Sequence, residues 1–154
     1  MKSNLLGLAL WIVVSLAAGW VGSNFMPGEW YAALAKPSWT PPNAVFGPVW
    51  TILYVLMGIA AWLVWRKAGF SGAGVALALF ILQLVLNGLW SYIFFGANQL
   101  LPAFVEVVIL WLLILATTLS FWRIVPGAGT LLLPYLCWVA FASALNFQLW
   151  RLNG

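Results

Sequence analysis

The sequence predicts an all-α integral membrane protein: a bundle of five transmembrane helices with a Pro/Trp-rich lid between the first and the second. Three observations carry that reading. Of 154 residues 66% are hydrophobic and 5% charged, against about 25% charged in a soluble domain, so the surface must face lipid. Five stretches reach the roughly 20 apolar residues that cross a bilayer. The one long connection, between the first two stretches, carries Trp30, Tyr31, Trp39, Pro37, Pro41 and Pro42, where a simple tether would use Gly, Ser and charge.

The first stretch covers about residues 5–26. Lys2 precedes it and Leu16-Ala17-Ala18-Gly19 resembles a cleavage site. Its apolar run is longer than a signal-peptide core and Trp20 follows the small residues, so it reads as a membrane helix. The lid is 27–42, where the prolines fix φ and restrict the residues before them. The second helix is about 43–65, with Pro48 near its start, and the third is about 74–95. The fourth is about 102–122, with Pro102 in a first turn that loses no amide bond. The fifth is about 130–150, where Pro134 is expected to bend the helix and free a carbonyl near Thr130. The remaining links, 66–72, 96–101 and 123–129, are short, so consecutive helices are antiparallel neighbours in a single domain, 1–154. Lys2, Arg66, Lys67 and Arg123 then fall on one side, Lys36 and Arg151 on the other. The excess of positive charge puts the N-terminus in the cytoplasm.

Composition excludes several chemistries. There is no histidine and Cys137 is the single cysteine. That removes His-ligated haem, His–carboxylate metal sites, Ser–His or Cys–His nucleophiles and any intramolecular disulfide. The scattered basic residues suit phosphate headgroups, not a nucleic-acid face. Small-xxx-small rows at Ser15, Gly19 and Ser23, and at Gly72/Ala76 and Gly74/Ala78, offer seams for close helix packing or for a homodimer.

Helical spacing gathers the unusual residues into stripes. Phe46, Trp50, Tyr54 and Met57 share a face of the second helix; Gln83, Asn87, Trp90 and Phe94 share one of the third, with Ser91 flanking. Trp138, Ala142 and Leu145 share one of the fifth, beside Asn146. Trp20, Trp62, Trp65, Trp122 and Trp150, near helix ends, read as an interfacial aromatic belt. Trp50, Trp90 and Trp138 lie where either ordinary packing or a pocket for a flat aromatic ligand accounts for them. Asn87 and Gln83 must bond across helices or to a ligand. Glu106, the one acid inside a span, reads first as a charge near a helix start and second as a proton or ligand contact.

Three segments carry a resemblance. WYxxLxKPSWTPPxxxFGPVWTxLYxxMG at 30–58, QLVLNGLWSYIFFGANQ at 83–99 and PYLCWVAFASALN at 134–146 resemble the signatures of the tryptophan-rich sensory protein family. These are bacterial relatives of the mitochondrial translocator protein, or peripheral benzodiazepine receptor. The resemblance runs the length of the chain, in order. It implies a five-helix bundle, often homodimeric, whose pocket is capped by the first loop. It implies binding of porphyrins such as protoporphyrin IX, and of benzodiazepine-type or isoquinoline carboxamide ligands.

Carried onto this chain, the resemblance implies ligand contacts at Phe46, Gly47, Trp50, Tyr54, Asn87, Trp90, Trp138, Ala142 and Leu145, with Trp30, Tyr31, Lys36, Trp39, Pro41 and Pro42 in the lid. No cofactor is required and no metal is expected; protoporphyrin IX would be ligand or substrate. Some bacterial members are implicated in light-dependent porphyrin breakdown, which would assign Trp50 and Trp138 a photochemical part. The family's C-terminal sterol pattern has Phe147 between Leu145 and Arg151 where it wants tyrosine, which counts against cholesterol. The resulting expectation is a tetrapyrrole receptor in a bacterial cell membrane. A porphyrin transporter and a photo-enzyme are the alternatives.

Overall fold

In a computed structural model, residues 2–25 and 27–153 are described, the side chains from Asn4 onward. Met26, the expected end of the first helix, lies outside them, as does the Lys2 side chain used in the charge count. The described residues form α1 (Lys2–Ser23), α2 (Glu29–Ala33), α3 (Asn43–Ser91), a π-helical turn (Tyr92–Gly96), α4 (Leu100–Ile124) and α5 (Pro126–Asn153). Among them, four helical runs are long and apolar enough to cross a membrane: Asn4–Ser23, Asn43–Gly96, Leu100–Ile124 and Pro126–Asn153.

The expected link at 66–72 is where two helices join at a kink with almost no loop, Arg66, Lys67 and Ala68 carrying helix up to the break as good helix formers. The run is not straight. Gly69 has φ 65°, ψ −176°, and Ala73 has φ −120°, ψ 17°. A left-handed φ is tolerated at glycine for want of a Cβ. Beyond the break the chain returns along itself: the Tyr54 hydroxyl donates to Asn87 Oδ1, 33 residues on, whereas a straight helix would part them by about 50 Å. α3 is therefore a helical hairpin.

The other ends shift by a few residues. Pro126 opens α5, so the link before it shrinks to Val125. The π turn at Tyr92–Gly96 ends the third apolar stretch, and Asn98 takes a positive φ of 57° before α4 begins. Pro134 lies inside α5, which continues to Asn153, and the Thr130 hydroxyl donates to Pro126 O at 3.0 Å.

Lipid tails are as apolar as leucine, so helices in a bilayer associate through packing and interhelical hydrogen bonds. The core shows both. Met57, Phe80, Leu110, Ile114, Phe121, Leu132 and Val139 are buried where α3, α4 and α5 meet, with Phe80 stacked on Phe121 at 5.8 Å. α1 packs chiefly on α3, seated by glycines. A Cβ at Gly58 would lie 2.6 Å from Ile12 Cα, and one at Gly19 would lie 2.7 Å from Tyr54 Cε2. The Ser15/Gly19 row is thus used within the chain, against α3. Gly74, by contrast, has nothing within 4 Å of its Cβ position.

Candidate ligand cavity

A cavity of about 350 Å³ lies between the C-terminal third of α1, the start of α3, the π turn and the second half of α5. Its volume falls within the roughly 300–1,000 Å³ of small-molecule sites. The walls are aromatic. Trp50 stacks on Tyr54 at 5.6 Å and 25° and meets Trp138 edge-on at 6.3 Å and 87°. Trp138 also packs against Phe46 at 6.1 Å and Phe141 at 5.5 Å. Trp90 packs on Phe94 at 5.2 Å.

The structure brings eight of the nine expected ligand contacts to this cavity: Phe46, Gly47, Trp50, Tyr54, Trp90, Trp138, Ala142 and Leu145. Asn87 is not on the wall. It lies buried behind Tyr54, whose hydroxyl donates to its Oδ1. Asn87 Nδ2 donates to the Tyr135 hydroxyl at 2.8 Å, and Tyr135 donates to Gln83 Oε1 at 2.6 Å. Gln83 Nε2 reaches Met57 Sδ at 3.9 Å. The chain ties both halves of α3 to α5. Its carboxamides are spent on structure, as hydrocarbon demands of buried polar groups.

Two wall donors have no partner. Trp138 Nε1 and the Tyr31 hydroxyl are both buried without a hydrogen bond. An orphaned buried donor costs about 1–3 kcal/mol, so both residues are held there at the expense of the fold's stability. Trp90 differs, since its Nε1 donates to Asn146 Oδ1 at 3.1 Å while Asn146 Nδ2 donates to Leu100 O at 2.9 Å. Trp90 therefore offers a ring face and no free N–H.

Of the expected lid residues, Tyr31 lines the cavity and is packed between Phe94 at 6.1 Å and Phe95 at 5.6 Å. Burial raises its phenol above the ordinary value. Trp30 meets Phe94 edge-on at 5.7 Å, and Trp39 meets Phe141 at 5.5 Å while staying exposed on its other side. Lys36 serves the segment itself: Nζ donates to Ala32 O at 3.2 Å and Leu34 O at 3.1 Å and sits 4.8 Å over the Tyr31 ring. Pro41 and Pro42 lie outside the wall; Pro42 precedes the first turn of α3.

Some of the arrangement had no sequence signal. Asn153 clasps the backbone of Ala35, accepting from its N–H at 2.8 Å and donating to its carbonyl at 2.8 Å. A helix-end asparagine carries no pattern that foretells a partner so far away in sequence. Gly19, Trp20 and Ser23 of α1 also line the cavity; Trp20, expected in the interfacial belt, is one wall of its mouth. Glu106 is in the second turn of α4, both carboxylate oxygens buried and unpartnered. The helix starts two residues before its expected place, which puts Glu106 past the first turn, where a helix terminus acts most strongly. Among the described residues no group of His, Cys, Asp or Glu could hold a metal ion.

Among the described residues, an all-helical bundle with several membrane-length apolar helices around an aromatic cavity defines an integral membrane protein. The chain belongs to the TspO/MBR family, whose model matches residues 10–151. It is 46% identical to the tryptophan-rich protein TspO of Chlorobaculum tepidum over 99% of both chains. It is 42% identical to protein CrtK of Rhodobacter capsulatus, over 94% of this chain and 91% of that one. To the human translocator protein it is 46% identical, over 86% of this chain and 82% of the relative.

Proposed function

We propose that this protein is a membrane receptor that holds a flat tetrapyrrole, such as protoporphyrin IX, in the aromatic cavity, with 27–42 as its lid. The supporting observation is the aromatic cavity itself, with the rings of Phe46, Trp50, Trp90, Phe94 and Trp138 in its wall. Such a wall accepts an apolar π-face, as of a porphyrin or an isoquinoline carboxamide.

In this reading the α3 hairpin crosses the membrane twice, for five crossings in all. Its 49 residues would otherwise span about 74 Å as one rod, over twice a hydrocarbon core. The N-terminus then lies in the cytoplasm of a bacterial cell, the lid lies outside, and two copies form a homodimer. In light, Trp50 and Trp138, both against the ligand, would serve porphyrin oxidation by dioxygen.

The test is protoporphyrin IX absorbance with purified protein, in the dark and then illuminated, beside Trp138→Phe. Saturable binding in the dark is expected, with light-dependent porphyrin loss slowed in the variant. Uptake that never saturates would remove the tetrapyrrole reading. Loss at the same rate in both proteins would remove the photochemical part alone.

A further inference from the structure

The cavity wall is sealed unevenly. Wall residues from the lid, the π turn and α5 are buried or half-buried: Tyr31, Phe94, Trp138, Phe141 and Leu145 among them. The exposed ones, Leu16, Trp20, Ser23, Gly47 and Thr51, all belong to α1 or to the first turns of α3. The mouth of the cavity is therefore a slot between these two helices.

We propose that ligand reaches the cavity sideways, from the hydrocarbon of the bilayer, through this slot, with Gly47 as its sill and Trp20 as its flap. This rests on the receptor reading and adds the route and the two residues that set which ligands pass. Three observations carry it. The residues around the slot are apolar and outward-facing: Val13 on α1, Val45 and Ile52 on α3. The slot's hydroxyls are spent inside their own helices, Thr51 Oγ1 donating to Gly47 O at 2.9 Å and Ser23 Oγ to Trp20 O at 2.6 Å. Nothing there invites water.

The second observation is space. Gly47 has no atom within 4 Å of its Cβ position, whereas Gly19, one step deeper, is closed by Tyr54 at 2.7 Å. The helices touch below and part above. Trp20 is 71% exposed, so its ring can swing without breaking a packed contact. The third is the alternative route. Passage under the lid would break the paired Ala35–Asn153 bonds, lift Trp39 off Phe141 and withdraw Tyr31 from between Phe94 and Phe95. The slot demands none of this. The ligands it suits are flat molecules already dissolved in the membrane.

The test is rapid-mixing kinetics with protoporphyrin IX loaded into the bilayer of protein-bearing nanodiscs, read by porphyrin fluorescence. Wild type, Gly47→Leu, Trp20→Ala and Asn153→Ala are compared. Gly47→Leu has room to fold, and is expected to slow both association and dissociation by about tenfold. Trp20→Ala is expected to speed both, and Asn153→Ala to change neither. Faster association in Asn153→Ala, with wild-type rates in Gly47→Leu and Trp20→Ala, would place the route under the lid and overturn the proposal while the receptor stands. Absence of saturable binding in wild type would overturn both.

Discussion

Asn87 shows how one residue type carries two meanings at membrane depth. Its setting among Gln83, Trp90 and Phe94 suits a ligand contact, yet its carboxamide is committed to Tyr54 and Tyr135. Asn87→Leu is therefore expected to cost about 1–3 kcal/mol by leaving the Tyr54 hydroxyl without an acceptor, while Tyr135 keeps its bond to Gln83, measurable as a lower midpoint in detergent melting. Its effect on ligand affinity should follow only through Tyr54. A variant that melts like wild type but loses binding would return Asn87 to the cavity wall. Glycines separate in the same way: Gly58→Ala forces a methyl group against the Ile12 backbone and should cost about 1–3 kcal/mol, while Gly47→Ala should be neutral or better. Tyr31 adds a pH dependence. Its folded-state phenol titrates above the ordinary value of about 10 because it is buried. The stability it contributes is full below pH 10 and falls as pH rises through its folded value. Tyr31→Phe should make the alkaline loss of melting temperature shallower than in wild type.

Among the elements, the connection 27–42 is held as a packed unit. α2 supplies Trp30 and Tyr31 to the π-turn aromatics, a turn at Pro37–Thr40 is closed by Thr40 N and Oγ1 on Pro37 O, and Asn153 pins Ala35. Asn153→Ala removes a two-bond clasp between segments remote in sequence. It is expected to raise amide exchange across residues 29–40 by about tenfold, given roughly 1 kcal/mol per bond lost, with exchange in α4 unchanged. Unchanged exchange in 29–40 would mean that the aromatic contacts alone hold the segment. The α3 hairpin turns at Gly69 and Ala73, of which only Gly69 has a positive φ. At Gly69, with φ 65°, an alanine is expected to cost about 1–2 kcal/mol.

For the whole molecule, composition and apolar run length revealed an all-helical membrane protein, and four-residue periodicity located most of the cavity wall on α3 and α5. The stripes were readable because spacing alone fixes which residues share a helix face. Three things were not. That the 66–72 link is a tight kink at Gly69 and Ala73 and not an open loop rests on backbone angles, which leave no mark in hydropathy. The α1 contribution, Gly19, Trp20 and Ser23, was hidden because α1 is apolar all round and its periodicity points nowhere. The clasp by Asn153 depends on where a helix end arrives in space.

The central claim is that the aromatic cavity binds a tetrapyrrole. It is tested most directly by titrating nanodisc-embedded protein with protoporphyrin IX beside Ala142→Trp, which places an indole in the cavity. Wild type should saturate at a single site per chain, and the variant should lose at least about tenfold in affinity while keeping its helical circular dichroism. Equal, non-saturating uptake by both proteins would show porphyrin partitioning into lipid and would contradict the account.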